Sequence, residues 1–277
     1  MSTKELLRKH QIKAKKHWGQ NFLSDKNLVR KMVTLADINA DSEVIEIGPG
    51  LGILTAELLK QAKRVTAFEI DERLVAVLQA EYQEEKRLRV IQANFLDVDL
   101  SEHFPADKNQ TYTVCANLPY YITTPILFKL FNENLNIHKI VVMMQREVAQ
   151  RFCAQPKSKD YGALSIIAAY KYKSKLLMNI PKEAFSPQPQ VDSAVVLFLK
   201  KLEKSAVNEA EFFSLVKSCF KYRRKTIYNN YKELLTADSA LANLEAAGID
   251  PRQRAEELTL EQYLKLYKVQ NEKKSAR

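Results

Sequence analysis

Short apolar runs alternate with helical spacings along the first half of the chain. Behind Asp25, the residues Leu28, Val29, Met32, Val33 and Leu35 recur at a mostly helical interval, which predicts a capped helix over about 26–36. Glu43-Val44-Ile45-Glu46-Ile47 has the length and apolarity of a buried strand. It runs into a glycine cluster and then a helical stretch over about 53–62. Residues 64–70 predict a second strand, and Asp71 caps a helix ending near Tyr82. Residues 88–92, 112–116 and 138–144 predict further strands. Pro125 sits where a first-turn proline belongs, in a helix that ends near Phe131. This alternation predicts an α/β fold with a mainly parallel sheet and helices on both faces. Beyond residue 200 the strand-like runs stop. The segments 208–221, 226–235, 239–247 and 259–269 are helical in pattern. A boundary at 200–205 gives two domains, 1–203 and 204–277, the second small and all-helical.

Composition narrows the class. A chain of 277 residues with 46% hydrophobic content can bury a sizeable core. No apolar run approaches the roughly 20 residues of a membrane span, and Met1-Ser2-Thr3-Lys4-Glu5 lacks the apolar stretch of a signal peptide. Cys115, Cys153 and Cys219 are odd in number and widely spaced, without the spacing of a disulfide framework or a metal site. A cytoplasmic protein with incidental thiols and no metal is expected. The net charge of +10 is uneven: residues 1–31 hold nine Lys/Arg against Glu5 and Asp25. A basic segment over about 1–20 suits a polyanionic partner, although charge alone fits a solvated tail equally well.

Three of only six glycines fall in Glu46-Ile47-Gly48-Pro49-Gly50-Leu51-Gly52. A strand that ends in such a cluster lets the backbone approach a ligand closely, and a following helix presents free N–H groups. Glu69 ends the next strand, where a carboxylate can accept hydrogen bonds from a ribose diol, with Ile70 beside it. A dinucleotide fingerprint would need glycine at position 53, which is Ile53. The Glu46-x-Gly48-x-Gly50-x-Gly52 pattern instead resembles the cofactor loop of S-adenosylmethionine-dependent methyltransferases. After the following strand, Asn94 could bond an adenine amine and Phe95 could pack on the ring.

The run Asn117-Leu118-Pro119-Tyr120-Tyr121-Ile122-Thr123 ends a predicted strand and would face the same crevice as Gly48 and Glu69. Its chemistry suits methyl transfer to an adenine amine, whose lone pair is delocalised into the ring. Acceptors on the two amine hydrogens draw the nitrogen toward tetrahedral geometry. The Asn117 side-chain carbonyl and the Leu118 backbone carbonyl, held by Pro119, are such acceptors. Tyr120 offers a stacking face, worth about 1–3 kcal/mol. The base must leave its stack or be unpaired already. Asn-Leu-Pro-Tyr resembles the Asn/Asp-Pro-Pro-Tyr/Phe motif of amino-group N-methyltransferases.

Further stretches point to one family. Gly19-Gln20-Asn21-Phe22-Leu23, the loop from Phe185 through Pro187, Pro189 and Val191 to Ser193, and Arg223-Arg224-Lys225-Thr226 resemble motifs of the ribosomal RNA adenine N6-dimethyltransferases. Arg252-x-Arg254-Ala255-Glu256-Glu257-Leu258 resembles the same family, and the similarity runs from about residue 10 to 268. The resemblance implies a Rossmann-like class I methyltransferase domain with a helical RNA-binding domain behind it. It implies cofactor contacts from Asn21, Leu23, Gly48, Glu69, Asn94 and Asn117, joined on the residues' own chemistry by Glu46, Gly50, Ile70 and Phe95. The family usually has Asp where this chain has Asn94. Phe185 is the candidate second face of an adenine sandwich, opposite Tyr120, with core packing as the alternative. Lys13, Lys15 and Lys16, and Arg223, Arg224 and Lys225, are candidate phosphate contacts, which position RNA rather than read it. The resemblance favours the branch that dimethylates two adjacent adenosines near the 3′ end of small-subunit ribosomal RNA, and implies a monomer acting on a pre-assembled particle. The alternatives are the macrolide-resistance branch acting on large-subunit RNA, a non-catalytic assembly factor on the same scaffold, and a DNA adenine methyltransferase.

Overall fold

The structure, a computed structural model, describes residues 3–15, 19–105, 109–201 and 207–275. It contains two compact units. One is formed by Met1–Ala149 with Lys175–Lys200, the other by Gln150–Ser174 with Lys201–Arg277. The segment 150–174 therefore groups with the C-terminal helices, whereas the sequence reading runs the first domain unbroken to 203.

The elements of the first half follow the expected order: α1 (Thr3–Lys9), β1 (Phe22–Leu23), α2 (Lys26–Leu35), β2 (Glu43–Ile47), α3 (Ile53–Leu58), β3 (Arg64–Glu69), α4 (Glu72–Glu81), β4 (Leu88–Gln92), β5 (Tyr112–Asn117), α5 (Thr123–Asn132) and β6 (Ile137–Gln145). Next come α6 (Arg146–Cys153), α7 (Ala163–Lys171), β7 (Tyr172–Ile180), β8 (Phe185–Ser186) and β9 (Ser193–Lys200). The seven-stranded sheet has the order β4-β3-β2-β5-β6-β9-β7. The pairs among β4, β3, β2, β5 and β6 are parallel, and β6 pairs antiparallel with β9. β2 and β5 read as continuous apolar runs because nearly every residue in them is buried, as in strands covered on both faces. From β2 the chain passes outward to β3 and β4, then returns to β5 on the other side. This reversal of strand order opens a crevice at the carboxyl ends of β2 and β5.

Local chemistry sets the element ends. The Asp25 carboxylate accepts the N–H groups of Asn27 (2.8 Å) and Leu28 (3.3 Å) and starts α2, whose Val29, Met32 and Val33 enter the core with Val44, Leu58, Val65 and Val141. α3 is six residues long and passes into a turn, not the helix to about 62 that the spacing predicts. α1 was not visible in the sequence pattern. Its Leu6 packs with Phe22, Leu51, Leu74 and Val77, so this part of the basic N-terminal segment is folded. A second, two-stranded sheet pairs β1 with β8, placing Phe22 opposite Ser186 and Leu23 opposite Phe185.

The second unit contains α8 (Glu209–Cys219), α9 (Ile227–Tyr231), α10 (Ala237–Ala247) and α11 (Leu260–Ser275). Asn208, Thr226 and Thr236 cap three of them through side-chain oxygens, and Gly248 ends α10 in the left-handed region. Phe212, Val216, Cys219, Ile227, Tyr231, Leu244, Tyr263 and Leu266 share a core with Tyr161 and Ile166 from the inserted segment. That packing explains why 150–174 groups with these helices. Among the described residues, no helix is long and apolar enough to cross a membrane.

Asp25→Ala removes a cap that satisfies two α2 N–H groups. It is expected to cost about 1 kcal/mol and to lower the melting temperature by about 2–4 °C, read by calorimetry against the native protein.

Candidate active site

The crevice is an open cavity of about 1130 Å³, counting the open solvent inside it. The turn after β2, the end of β3, the loop after β4 and the end of β5 build most of its walls. Gly19–Leu23 also lines it.

The turn after β2 works through its glycines. Gly48, Gly50 and Gly52 all have positive φ, at 65°, 60° and 77°. A Cβ on Gly52 would meet Leu78 and Tyr82 at 2.9 Å, and one on Gly50 would meet the Phe22 ring at 3.2 Å. The N–H groups of Gly48, Gly50 and Gly52 are taken by Phe68 O, Glu69 Oε2 and Pro49 O, which fixes the turn.

Two buried carboxylates stand behind the turn. Glu69 is only 4% exposed. Its Oε2 accepts the Gly50 N–H (3.0 Å) and its Oε1 the Asp71 N–H (3.0 Å). Burial raises its pKa, and backbone hydrogen bonds from Asp71, Gly50 and Ile70 work against that rise. A carboxylate has about four acceptor positions, so these N–H groups occupy most of the capacity that the sequence reading assigns to a ribose diol. Glu46 is 1% exposed. Its Oε2 accepts the Thr55 hydroxyl at 2.7 Å, while Oε1 has no hydrogen-bond partner among the described residues. Burial, with the charge of Glu69 adding to it against the Thr55 bond, raises the Glu46 pKa to about 8.

Asp71 caps α4, as the sequence predicts, but it also joins the N-terminal segment to the site. Its carboxylate receives the Arg73 guanidinium, Gln20 Nε2 (3.1 Å) and, at 3.6 Å, Lys15 Nζ. Burial alone would raise its pKa; the hydrogen bonds from Arg73 and Gln20 override it and lower the value to about 2. Gln20 also accepts the Lys15 N–H at 2.8 Å. Sequence reasoning missed this network because Asp71 has a sufficient local explanation as a cap.

Asn117 lies at the carboxyl end of β5, the strand next to β2. Its Nδ2 donates to the Asn21 carbonyl at 3.4 Å, which orients the amide and leaves Oδ1 as the end able to accept. Leu118 donates its N–H to Met143 O (3.0 Å), and the Pro119 carbonyl accepts the Ile122 N–H and the Thr123 hydroxyl. Tyr120 is half-buried, and its hydroxyl lies 2.6 Å from Ser193 Oγ. Tyr121 is 55% exposed, with its ring beside Gly19. Asn94 is committed at both ends of its amide: Oδ1 accepts the Leu96 N–H (3.3 Å) and Nδ2 donates to Asp97 (2.7 Å). Asp97 thus places a carboxylate next to the position where the resembled family carries one. Phe95 packs edge-on against Phe68.

Every cofactor residue named from the sequence lines this one cavity, as do Leu118, Pro119 and Tyr120. Phe185 does not. It is 4% exposed and packs in the core with Leu23, Val29 and Met32, so it is corrected from a stacking wall to a core residue. Its pairing with Leu23 across β1 and β8 accounts for its burial. Of the candidate phosphate contacts in the first unit, Lys13 is exposed, Lys15 faces Asp71, and Lys16 lies outside the described residues. In the second unit, Arg223, Arg224 and Lys225 are exposed. Arg223 donates to the Lys159 carbonyl, and Lys225 Nζ lies 4.0 Å from the Tyr222 ring centre. Among the described residues, no group of His, Cys, Asp or Glu could hold a metal ion.

The model of one family, ribosomal RNA adenine dimethylase, matches residues 11–272. The chain belongs to this family. The ribosomal RNA adenine dimethylases use S-adenosylmethionine as methyl donor. This structure offers features that fit it: a glycine turn without side chains in the way, the remaining acceptor position of Glu69, and a buried Glu46 oxygen that has no hydrogen-bond partner among the described residues. Within the family, the ribosomal RNA small subunit methyltransferase A of Geobacillus sp. (strain WCH70) is 42% identical over 275 residues, covering 95% of this chain and 94% of that protein. The protein of the same name from Bacillus mycoides (strain KBAB4) is also 42% identical, over 273 residues. Among solved structures, a dimethyladenosine transferase from Plasmodium falciparum matches with a TM-score of 0.80 at 26% identity, covering 91% of this chain and 98% of that one. The 23S rRNA methyltransferase ErmE matches with a TM-score of 0.70 at 25% identity, over 91% of this chain and all of that one.

Without cofactor, the folded protein holds a proton on Glu46 between pH 4.5 and about 8 that the unfolded chain has lost. Stability at this residue therefore falls as pH rises through that window. Glu46→Gln removes the ionisation. The melting temperature of the variant, relative to native, is expected to rise from about pH 5 to about pH 8; a constant difference would contradict the assignment.

Proposed function

We propose that the protein transfers two methyl groups to the N6 amine of each of two adjacent adenosines near the 3′ end of small-subunit ribosomal RNA. The observation that carries this reading is the placement of Asn117. Its amide is oriented by Asn21 at the mouth of a crevice shared with the glycine turn and Glu69. The 42% identity to proteins named for the small ribosomal subunit favours that substrate over the large-subunit RNA of ErmE.

Bound S-adenosylmethionine supplies an electrophilic methyl on a sulfonium. Glu69 would bond the cofactor's ribose through its free acceptor capacity while bracing the Gly50 N–H. Asn94, Phe95 and Ile70 would hold the adenine ring, Glu46 would face the cationic portion, and Gly48, Asn21 and Leu23 would close the remaining wall. On the substrate side, Asn117 Oδ1 and the Leu118 carbonyl would accept the two amine hydrogens and draw the nitrogen toward tetrahedral geometry, freeing its lone pair for attack. Tyr120 stacks on the base. No strong protein base is required, because the methylated amine is acidic enough to lose its proton to water. The work of the site is orientation and exclusion of water.

Lys13, Arg223, Arg224 and Lys225 would contact phosphates, with Lys16 as a further expectation from sequence. Such contacts make binding fall steeply with salt. They would recognise folded RNA shape rather than base sequence, which favours a pre-assembled subunit particle as substrate; a monomer is the proposed acting form. A protein acting on nascent subunits would work in the cytoplasm.

The test is transfer of labelled methyl to small-subunit particles lacking the modification, with large-subunit RNA as control. Native protein is expected to label adjacent adenosines, located by primer-extension stops. Asn117→Ala is expected to lower kcat at least a hundredfold, on the order of losing one preorganised polar contact to the reacting group, while RNA affinity changes less than about twofold. Equal activity of the variant would remove the mechanism.

A further inference from the structure

The Tyr120 side chain is held at both ends. Its backbone follows Leu118 and Pro119, which are tied to β6 and α5 through Met143 O and the Thr123 hydroxyl. Its phenol meets Ser193 Oγ at 2.6 Å. Ser193 is fully buried and opens β9 opposite Gln145 of β6. The residue before it is fixed as well. The Asp192 carbonyl accepts the Arg146 N–H at 3.0 Å, and its carboxylate accepts the Lys182 N–H at 3.2 Å and Arg146 Nη1 at 3.3 Å. The serine hydroxyl is thus carried on a strand end that is anchored on two sides.

A half-exposed tyrosine at a cavity mouth otherwise samples several rotamers, and a base stacking on it must pay the cost of stopping that motion. We infer that Ser193 is a positioning residue for methyl transfer: its hydroxyl latches the Tyr120 phenol and fixes the ring as a preset wall for the target adenine. The inference rests on the adenine-methylating reading above. Phe185 is absent from the cavity wall, which leaves Tyr120 as the aromatic of the Asn-Leu-Pro-Tyr motif on which the base plane depends. A misoriented ring would carry the amine away from Asn117 Oδ1 and the Leu118 carbonyl. The loop from Phe185 to Ser193 then acts on the reaction through its last residue, not its first. The small side chain also fits the site: Ser193 has no exposed surface into which a larger group could extend.

The experiment is a double-mutant cycle with Ser193→Ala and Tyr120→Phe. Tyr120→Phe keeps the ring and removes only the hydroxyl. The assay is methyl transfer to unmodified small-subunit particles, with kcat, KM for particles and affinity for S-adenosylmethionine measured for each protein. Each single variant is expected to lose about three- to tenfold in kcat, the range of one ordinary hydrogen bond. The double variant is expected to be no slower than the slower single variant, because both changes break the same contact. Cofactor affinity should stay at the native value, and the melting temperature should fall by no more than the roughly 2–4 °C that one hydrogen bond carries. Native kcat in Ser193→Ala, or losses that multiply in the double variant, would overturn the latch. A joint fall in melting temperature and cofactor affinity would assign Ser193 to the fold alone and overturn it too. Absence of transfer by the native protein would instead overturn the reading of the whole site, and the latch with it.

Discussion

The Glu69 carboxylate is the constraint on which the site depends. It is buried, at a desolvation cost that raises its pKa. It is kept there by N–H groups from both sides of the crevice: Gly50 from the turn after β2, and Asp71 from the start of α4. A side chain of β3 thereby fixes the backbone turn that must stay open for a ligand. The positive φ of Gly48, Gly50 and Gly52 makes that turn possible, and the crowding at Gly50 and Gly52 leaves little room for any other residue. Asp71 extends the arrangement through Gln20 and Lys15, so the Gly19–Leu23 segment is drawn to the same place.

From that anchor the remaining walls follow by short links. β1 pairs with β8, and the Ser24 N–H and hydroxyl both donate to the Ala184 carbonyl. Asn21 orients Asn117, and Ser193 meets Tyr120. Three stretches far apart in sequence, 19–23, 117–121 and 185–193, are thus joined by backbone pairing and a few side-chain bonds. Each residue that would touch a reacting group is itself held by a neighbour, which is the preorganisation that orientation-driven catalysis requires.

Much of this was legible in the sequence where one local signal sufficed. The strands β2, β3 and β5 announce themselves as largely apolar runs because they are buried on both faces, whereas β4, at the sheet edge, shows only as a short run between turns. The glycine cluster, Glu69 and Asn117 stood at strand ends, where the parallel sheet places ligands. What was not legible depends on distant partners. α1 has too few apolar residues to show a period, and it holds because Leu6 finds Phe22 and Leu74. β7 carries Lys173 and Lys175 among its apolar residues, and its place comes from the sheet edge beside β9. The loop of Phe185 resembles a functional motif, which makes its ring a candidate to face a base; its pairing opposite Leu23 turns it into the core. The sequence makes Lys15 a phosphate candidate and does not show its neighbour Asp71, which lies 56 positions along the chain. Asp71 and Ser193 were in plain view, but their second partners are set by the fold.

The most direct test of the braced glycine turn as the cofactor's site is calorimetric titration of S-adenosylmethionine into native protein and Glu69→Ala. The account predicts one saturable site in the native protein and an affinity about ten- to a hundredfold weaker in the variant, the range for losing hydrogen bonds to a charged group. No uptake by the native protein, or equal affinity in the two, would contradict it.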